Sequence, residues 1–335
     1  IHDKPILELG GPGEYDETGA MPSWFVDMPN GDIWLYYTGW NRTHNSYRLS
    51  MGLAVSHDGG LSFKKMFRGP IMDRSIHNPI WAAQPSVMYD NGVWRMWHIS
   101  GQKCEYIHGY PEPFYDCRYA ESKDGIHWTS TGDVVLAFDD FLHAVGRPSV
   151  FKEDGIYKMY YSYRHTVDYR TNRDQSYRMG YAESLDGIKW ERKDDLVGIA
   201  KSENPADFDY NMINYAHYYE HNDKKYLLYN GNGFGASGFA YEEAAEICGC
   251  AVGTIKSRIN RARNKLQELV QAEREKRRGE EEDEAIDVLD LDAVIHDDDT
   301  AVVSAVVPQT ASGQGMLNEM RRELLEIREL LRLTP

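Results

Sequence analysis

Met21-Pro22-Ser23-Trp24, Gln84-Pro85-Ser86-Val87 and Arg147-Pro148-Ser149-Val150 place the same Pro-Ser pair at intervals of 63 residues, each ahead of an apolar run. A period of this size marks an array of like units. A weaker fourth start lies at Tyr215-Ala216, where the Pro-Ser pair is lost. Behind each start comes a polar turn: Asn30-Gly31, Asn91-Gly92, Asp154-Gly155 or Asn222-Asp223. The turns open aromatic-rich strands at Trp34 to Tyr37, Trp94 to Trp97, Tyr157 to Tyr161 and Tyr226 to Tyr229. Asn-Gly and Asp-Gly supply the positive φ angles of a tight hairpin, so the units read as antiparallel meanders.

A third strand follows in three units, at Leu49 to Ser56, Arg118 to Ser122 and Arg178 to Ser184. Each ends in a Ser-x-Asp turn (Asp58, Asp124, Asp186) that leads to Phe63, Trp128 or Trp190. Those aspartates are expected to cap backbone N–H groups, with the following ring packed between units. Four short strands per unit of about 60 residues is the rhythm of propeller blades. The fold class expected is mainly β: an incomplete, about four-unit β-propeller with four-stranded antiparallel blades, followed by a small α-helical C-terminal segment.

Several stretches carry a closer likeness: Lys4-Pro-Ile-Leu-Glu-Leu-Gly10, Tyr15-Asp-Glu-Thr-Gly-Ala-Met-Pro-Ser23, Leu35-Tyr-Tyr-Thr-Gly-Trp-Asn41, Gly69-Pro-Ile-Met-Asp73, Tyr119-Ala-Glu-Ser-Lys-Asp-Gly125 and Tyr229-Asn-Gly-Asn-Gly-Phe-Gly235. Residues 1–238 resemble the five-bladed glycosidase-like propellers related to glycoside hydrolase families 32, 43 and 130. The resemblance implies a further blade ahead of Ile1, and action on a glycosidic bond by hydrolysis or phosphorolysis. Glycan binding without turnover is the alternative.

In a propeller the innermost strand of each blade lines a central funnel, so residues just before each Pro-Ser pair are the candidates: Asp16, Glu17, Gln84, Arg147 and, by position, Asn214. Glycoside hydrolysis needs two carboxyl groups on opposite faces of the sugar. Asp16 matches the family's second-blade acid and is the expected catalytic residue. Gln84 and Arg147 occupy the next two equivalents and cannot act as general acids. Glu105, Asp116, Asp168 and Glu203 lie on irregular segments able to reach the funnel mouth. Arg147 and Arg164, near His143 and His165, suit an anionic sugar or phosphate through the guanidinium fork. Trp40, Trp81 and Tyr163 could stack on sugar faces.

From Phe239 the pattern turns helical. Phe239-Ala-Tyr-Glu-Glu-Ala-Ala-Glu-Ile-Cys-Gly-Cys-Ala-Val-Gly-Thr-Ile-Lys-Ser-Arg258 and the basic run to Leu266 resemble region 4 of extracytoplasmic-function sigma factors. Residues 239–272 read as a helix-turn-helix, with helices from Tyr241 to Cys248 and from about Val252. The resemblance implies that Thr254, Lys256, Ser257, Arg258 and Arg261 face DNA, giving a third reading as a transcription-related protein. Gly235-Ala-Ser-Gly-Phe239 suits both resemblances, as the join of a chimera would.

Residues 273–315 read as an acidic linker, expected to be disordered. Residues 316–333 form an amphipathic helix by the spacing of Leu317, Met320, Leu324, Ile327 and Leu331, a candidate for self-association along with exposed blade edges. The 23 Tyr and 8 Trp thin out after Tyr241, which marks the same boundary. A formal charge of −16 argues against DNA as the partner of the whole chain. No cofactor or metal motif is present, and four scattered cysteines do not make a disulfide framework. No run is apolar enough for a membrane span, so the cytoplasm is the expected location.

Overall fold

The structure, a computed structural model, describes residues 5–42, 47–140, 142–222 and 224–243. The expected helix-turn-helix beyond residue 243, the DNA-facing Thr254, Lys256, Ser257, Arg258 and Arg261, the linker 273–315 and the helix 316–333 lie outside the described residues.

The strands fall into four successive antiparallel groups. The first sheet runs β1 (Gly19–Asp27), β2 (Ile33–Arg42), β3 (Tyr47–Ser56) and β4 (Lys64–Lys65) in chain order. The second group is β5 (Trp81–Asp90), β6 (Val93–Ile107), β7 (Tyr110–Ser122) and β8 (Trp128–Leu136). The third is β9 (Ala144–Glu153), β10 (Ile156–Arg164), β11 (Arg178–Ser184) and β12 (Glu191–Arg192), joined to the second by a parallel bridge between Tyr115 and Ala144. The last is β13 (Asn214–His221), β14 (Lys224–Asn230) and β15 (Phe239–Glu243).

The hairpin turns carry the positive φ their sequences call for. Asn91 and Gly92 lie at 50° and 83°, Asp154 and Gly155 at 51° and 79°. This is the backbone of the tight turns that match strand twist.

The Pro-Ser repeat has a physical cause. At Gln84, Arg147 and Tyr215, the residue before the pair or its equivalent, φ is positive (50°, 56° and 57°) and the register with the next strand shifts. Each first strand therefore carries a bulge at the same place, which bends it and re-aims its side chains. The serine that follows ties neighbouring groups together. Ser86 Oγ accepts from Val150 N at 3.0 Å, and Ser149 Oγ accepts from Tyr218 N at 2.7 Å. Hydroxyls on the second strands do the same for the bulge residues: Gln84 N donates to Thr38 Oγ1 and Tyr215 N to Ser162 Oγ.

The Ser-x-Asp turns are structural, as their sequence suggests. Asp124 Oδ1 accepts from the backbone of Ile126 and His127, and Asp186 Oδ1 from Ile188 and Lys189. These bonds hold both carboxyls below the usual carboxylate range. The carbonyl of the turn glycine receives a ring from the preceding group: Tyr36 OH to Gly125 O at 2.9 Å, Trp97 Nε1 to Gly187 O at 2.7 Å. The cores accordingly sit between successive groups, such as Tyr36, Met51 and Leu53 against Val87 and Met96, or Tyr160 and Tyr181 against Tyr218 and Leu227.

The expected helix from Tyr241 does not begin there. Residues 239–243 form β15, paired with β14 from Asn230↔Phe239 to Tyr226↔Glu243. Ala240 is buried beside Leu227 and Tyr229, and the strand satisfies an edge of β14 that would otherwise lack partners.

Candidate functional site

A cavity of about 920 Å³ opens where the four groups meet, with side chains from every one of them in its wall. Its lining is an almost unbroken aromatic belt. Trp40 contacts Tyr47 at 4.8 Å between centroids, Tyr47 meets Trp81 at 6.5 Å, and Trp81 meets Tyr115 at 5.4 Å. Tyr115 OH is 2.7 Å from Tyr177 OH, and Tyr177 continues through Tyr215 (5.7 Å) to Phe234 (6.3 Å). The belt takes Trp40 from the end of β2, Tyr47 and Trp81 from the starts of β3 and β5, and Tyr115 from within β7. Ring faces of this kind stack on the apolar faces of ligands.

Arg164, the last residue of β10, also lines the cavity and is 2% exposed. Its guanidinium lies 3.7 Å from the Tyr169 ring centroid and 5.5 Å from those of Tyr115 and Tyr177. Its hydrogen bonds among the described residues go to the Tyr177 phenol (3.1 Å) and the His165 carbonyl (2.8 Å), not to a carboxylate. Burial pushes the phenols of Tyr115 and Tyr215 well above their ordinary range, so they stay neutral beside it. A buried cation without a counter-charge is costly unless something supplies one.

Of the residues singled out from sequence, Trp40, Gln84 and Arg164 come together on this cavity, and Trp81 with them. Four others do not line it. Asp16 is fully buried on the flank of the first sheet, where its Oδ2 pairs with Lys65 Nζ at 2.6 Å and accepts from Tyr37 OH at 3.0 Å. Glu17 accepts from Gly13 N and closes the turn before β1. Arg147 turns its guanidinium to Ser23 O on β1 (3.3 Å), and burial lowers its pKa to about 10. Asn214 is buried one residue short of the bulge: the true equivalent of Gln84 and Arg147 is Tyr215, which the lost Pro-Ser pair obscures.

Of the four acids expected near the mouth, Asp168 lies 3.5 Å from His108 in a cleft adjoining the cavity, and the other three are engaged elsewhere. Asp116 makes a two-pronged pair with Arg118, Glu105 pairs with Lys103, and Glu203 pairs with Arg173. Among the described residues, no Asp or Glu lines the central cavity. The carboxyl next to it is Glu112 on β7, 4% exposed and paired with Arg170, which itself lines the cavity. Sequence reading missed Glu112 because it belongs to no repeat.

Two proteins of Mycobacterium tuberculosis, uncharacterized protein MT1551 (strain CDC 1551 / Oshkosh) and uncharacterized protein Rv1502 (strain ATCC 25618 / H37Rv), are 30% identical to the chain over 241 residues, 71% of this chain and 76% of each of theirs. Among solved structures, a complex of BT0996 with RGII superposes with a TM-score of 0.52 at 18% identity, covering 70% of this chain and 72% of that protein. A glycoside hydrolase gives the same TM-score and identity over 69% and 70%. At this identity the likeness is one of fold, that of the glycoside hydrolase propellers. Residues 236–266 match the model of sigma-70 region 4, and a 36-residue stretch is 78% identical to the ECF RNA polymerase sigma factor EcfG of Rhodopseudomonas palustris (strain TIE-1), 11% of this chain and 20% of that protein. The chain thus joins a propeller-like part to a piece of sigma-factor type.

Proposed function

Since the chain belongs to the family of the two mycobacterial proteins, with the fold of glycoside hydrolase propellers, we propose that it is a carbohydrate-active protein whose central cavity takes an anionic sugar. In this reading the four strand groups are blades around one axis, and the ligand sits where their inner strands meet. The observation that carries it is Arg164: a buried cation caged by tyrosines, without a carboxylate, in the wall of an aromatic cavity. The rings take the apolar faces of the sugar, and the guanidinium takes its carboxylate or phosphate.

The same cation would hold inorganic phosphate as the co-substrate of phosphorolysis. That reaction asks the protein for one proton-donating carboxyl, whereas hydrolysis asks for two. Glycan binding without turnover is the second reading, favoured by a cavity wall that holds no acid among the described residues.

Calorimetric titration with galacturonic acid, glucose 6-phosphate and glucose tests the proposal. The two acids bind and glucose does not; equal binding of all three, or of none, contradicts it. Incubation of glycosides with and without phosphate then separates turnover from binding alone.

A further inference from the structure

Tyr177 closes the loop between β10 and β11, and its backbone carbonyl accepts from Ile213 N at 3.3 Å. Its ring lines the central cavity together with Tyr115, Tyr215 and Arg164. Two of those neighbours meet at its phenol oxygen. Arg164 Nε donates to it at 3.1 Å, and Tyr115 OH lies 2.7 Å away. Among the described residues, no other phenol is hydrogen-bonded to Arg164.

A guanidinium has only donors, so the Tyr177 oxygen is the acceptor in the first of these bonds. Burial pushes the Tyr115 phenol well above its ordinary range, so Tyr115 keeps a proton to give to the second. With Arg164 and Tyr115 both donating, the hydrogen of Tyr177 is left for a third partner. The same two donors are placed to hold the oxygen once that hydrogen has gone, as fixed donors hold an oxyanion. Tyrosine is among the side chains that serve as general acids. No Asp or Glu among the described residues lines the cavity to do so in its place.

We propose that Tyr177 is the general acid of the central cavity, which protonates the leaving oxygen of a glycoside bound there. It rests on the reading of that cavity as an anionic-sugar site with turnover. The bond between the anomeric carbon and the glycosidic oxygen breaks, and its electron pair passes to the oxygen. That oxygen takes the Tyr177 hydroxyl proton and leaves as an alcohol. Water or inorganic phosphate forms the new bond to the anomeric carbon, and the proton it sheds returns to the Tyr177 oxygen. Between the two transfers Arg164 Nε and Tyr115 OH hold the phenolate, while the rest of the guanidinium stays with the anionic group of the sugar.

The test uses galacturonides and glucuronides of both anomers, each as the methyl and the 4-nitrophenyl glycoside, with and without phosphate. 4-Nitrophenolate leaves without a proton and methoxide does not, so each pair reports on the acid. Native protein turns over at least one pair. Tyr177→Phe lowers kcat on the methyl glycoside about a hundredfold to ten-thousandfold, the range of a positioned general acid, and its 4-nitrophenyl partner loses far less. Calorimetric affinity of that variant for galacturonic acid is unchanged, which also shows that it is folded. Equal losses on the two glycosides, no loss, or a loss matched by weaker binding overturns the role of Tyr177. So does native protein that binds galacturonic acid and turns over no glycoside, which leaves the cavity standing as a binding site. Failure of every anionic probe to bind overturns both readings.

Discussion

The Ser-x-Asp turns and the wall of the central cavity are built on opposite plans. The turns at Ser122-Lys-Asp124 and Ser184-Leu-Asp186 share the same backbone bonds to the Asp carboxylate, and each following glycine carbonyl receives a ring from the preceding group. The cavity takes a different side chain from each group: Trp40, Trp81, Arg164, Phe234. Periodicity in this chain encodes how neighbouring groups lock together. Much of the cavity lining comes from where the period breaks, the β6–β7 arm and the loop after Arg164.

If that division is right, damage to the repeated contacts reduces stability and damage to the cavity reduces binding. Trp97→Ala empties a fully buried ring site and removes the bond to Gly187 O, so it should cost about 3–5 kcal/mol in urea unfolding. Any loss of sugar binding should follow the unfolded fraction alone.

A pH titration of stability probes the scaffold without mutation. Burial pushes His98 and His217 down to about 4, well under the roughly 6.5 of a free imidazole. The unfolded chain therefore takes up protons that the folded chain refuses. Stability from this source is full above about pH 6.5, falls as pH drops toward 4, and is level below that. The His98→Gln, His217→Gln double variant should show a flatter profile in that window, measured by thermal midpoints.

Arg164→Gln sharpens the comparison from the other side. Anionic-sugar affinity should fall about tenfold to a hundredfold, read by calorimetry, because a buried charged hydrogen bond is lost. The thermal midpoint should hold or rise, since an uncompensated buried cation is removed. Ser149→Ala should have the smallest effect, about 1 kcal/mol of stability from the lost bond to Tyr218 N, with affinity unchanged.

The sequence disclosed the scaffold through residues that repeat. Three Pro-Ser pairs, the Asn-Gly and Asp-Gly turns and the Ser-x-Asp caps sufficed for the meanders and their order. Of the residues it singled out, Trp40, Gln84 and Arg164 line the central cavity. Asp16 lies off that cavity, and its matching motif says nothing of Lys65, later in the chain, closing on its carboxylate. Asn214 fell one residue short of Tyr215 because a bulge without its Pro-Ser pair leaves no local signature. Residues 239–243 fit a helix start and a strand equally well, and only the open edge of β14 decides between them. Glu112 was one acid among 53 Asp and Glu residues until the fold buried it.

A crystal structure of the protein soaked with galacturonic acid tests the central claim most directly. The account predicts density for the sugar between Trp40 and Trp81, with its carboxylate on the Arg164 guanidinium. Density in the flank cleft beside Glu14 and Asp73, with the Arg164 cavity holding only solvent, would contradict it.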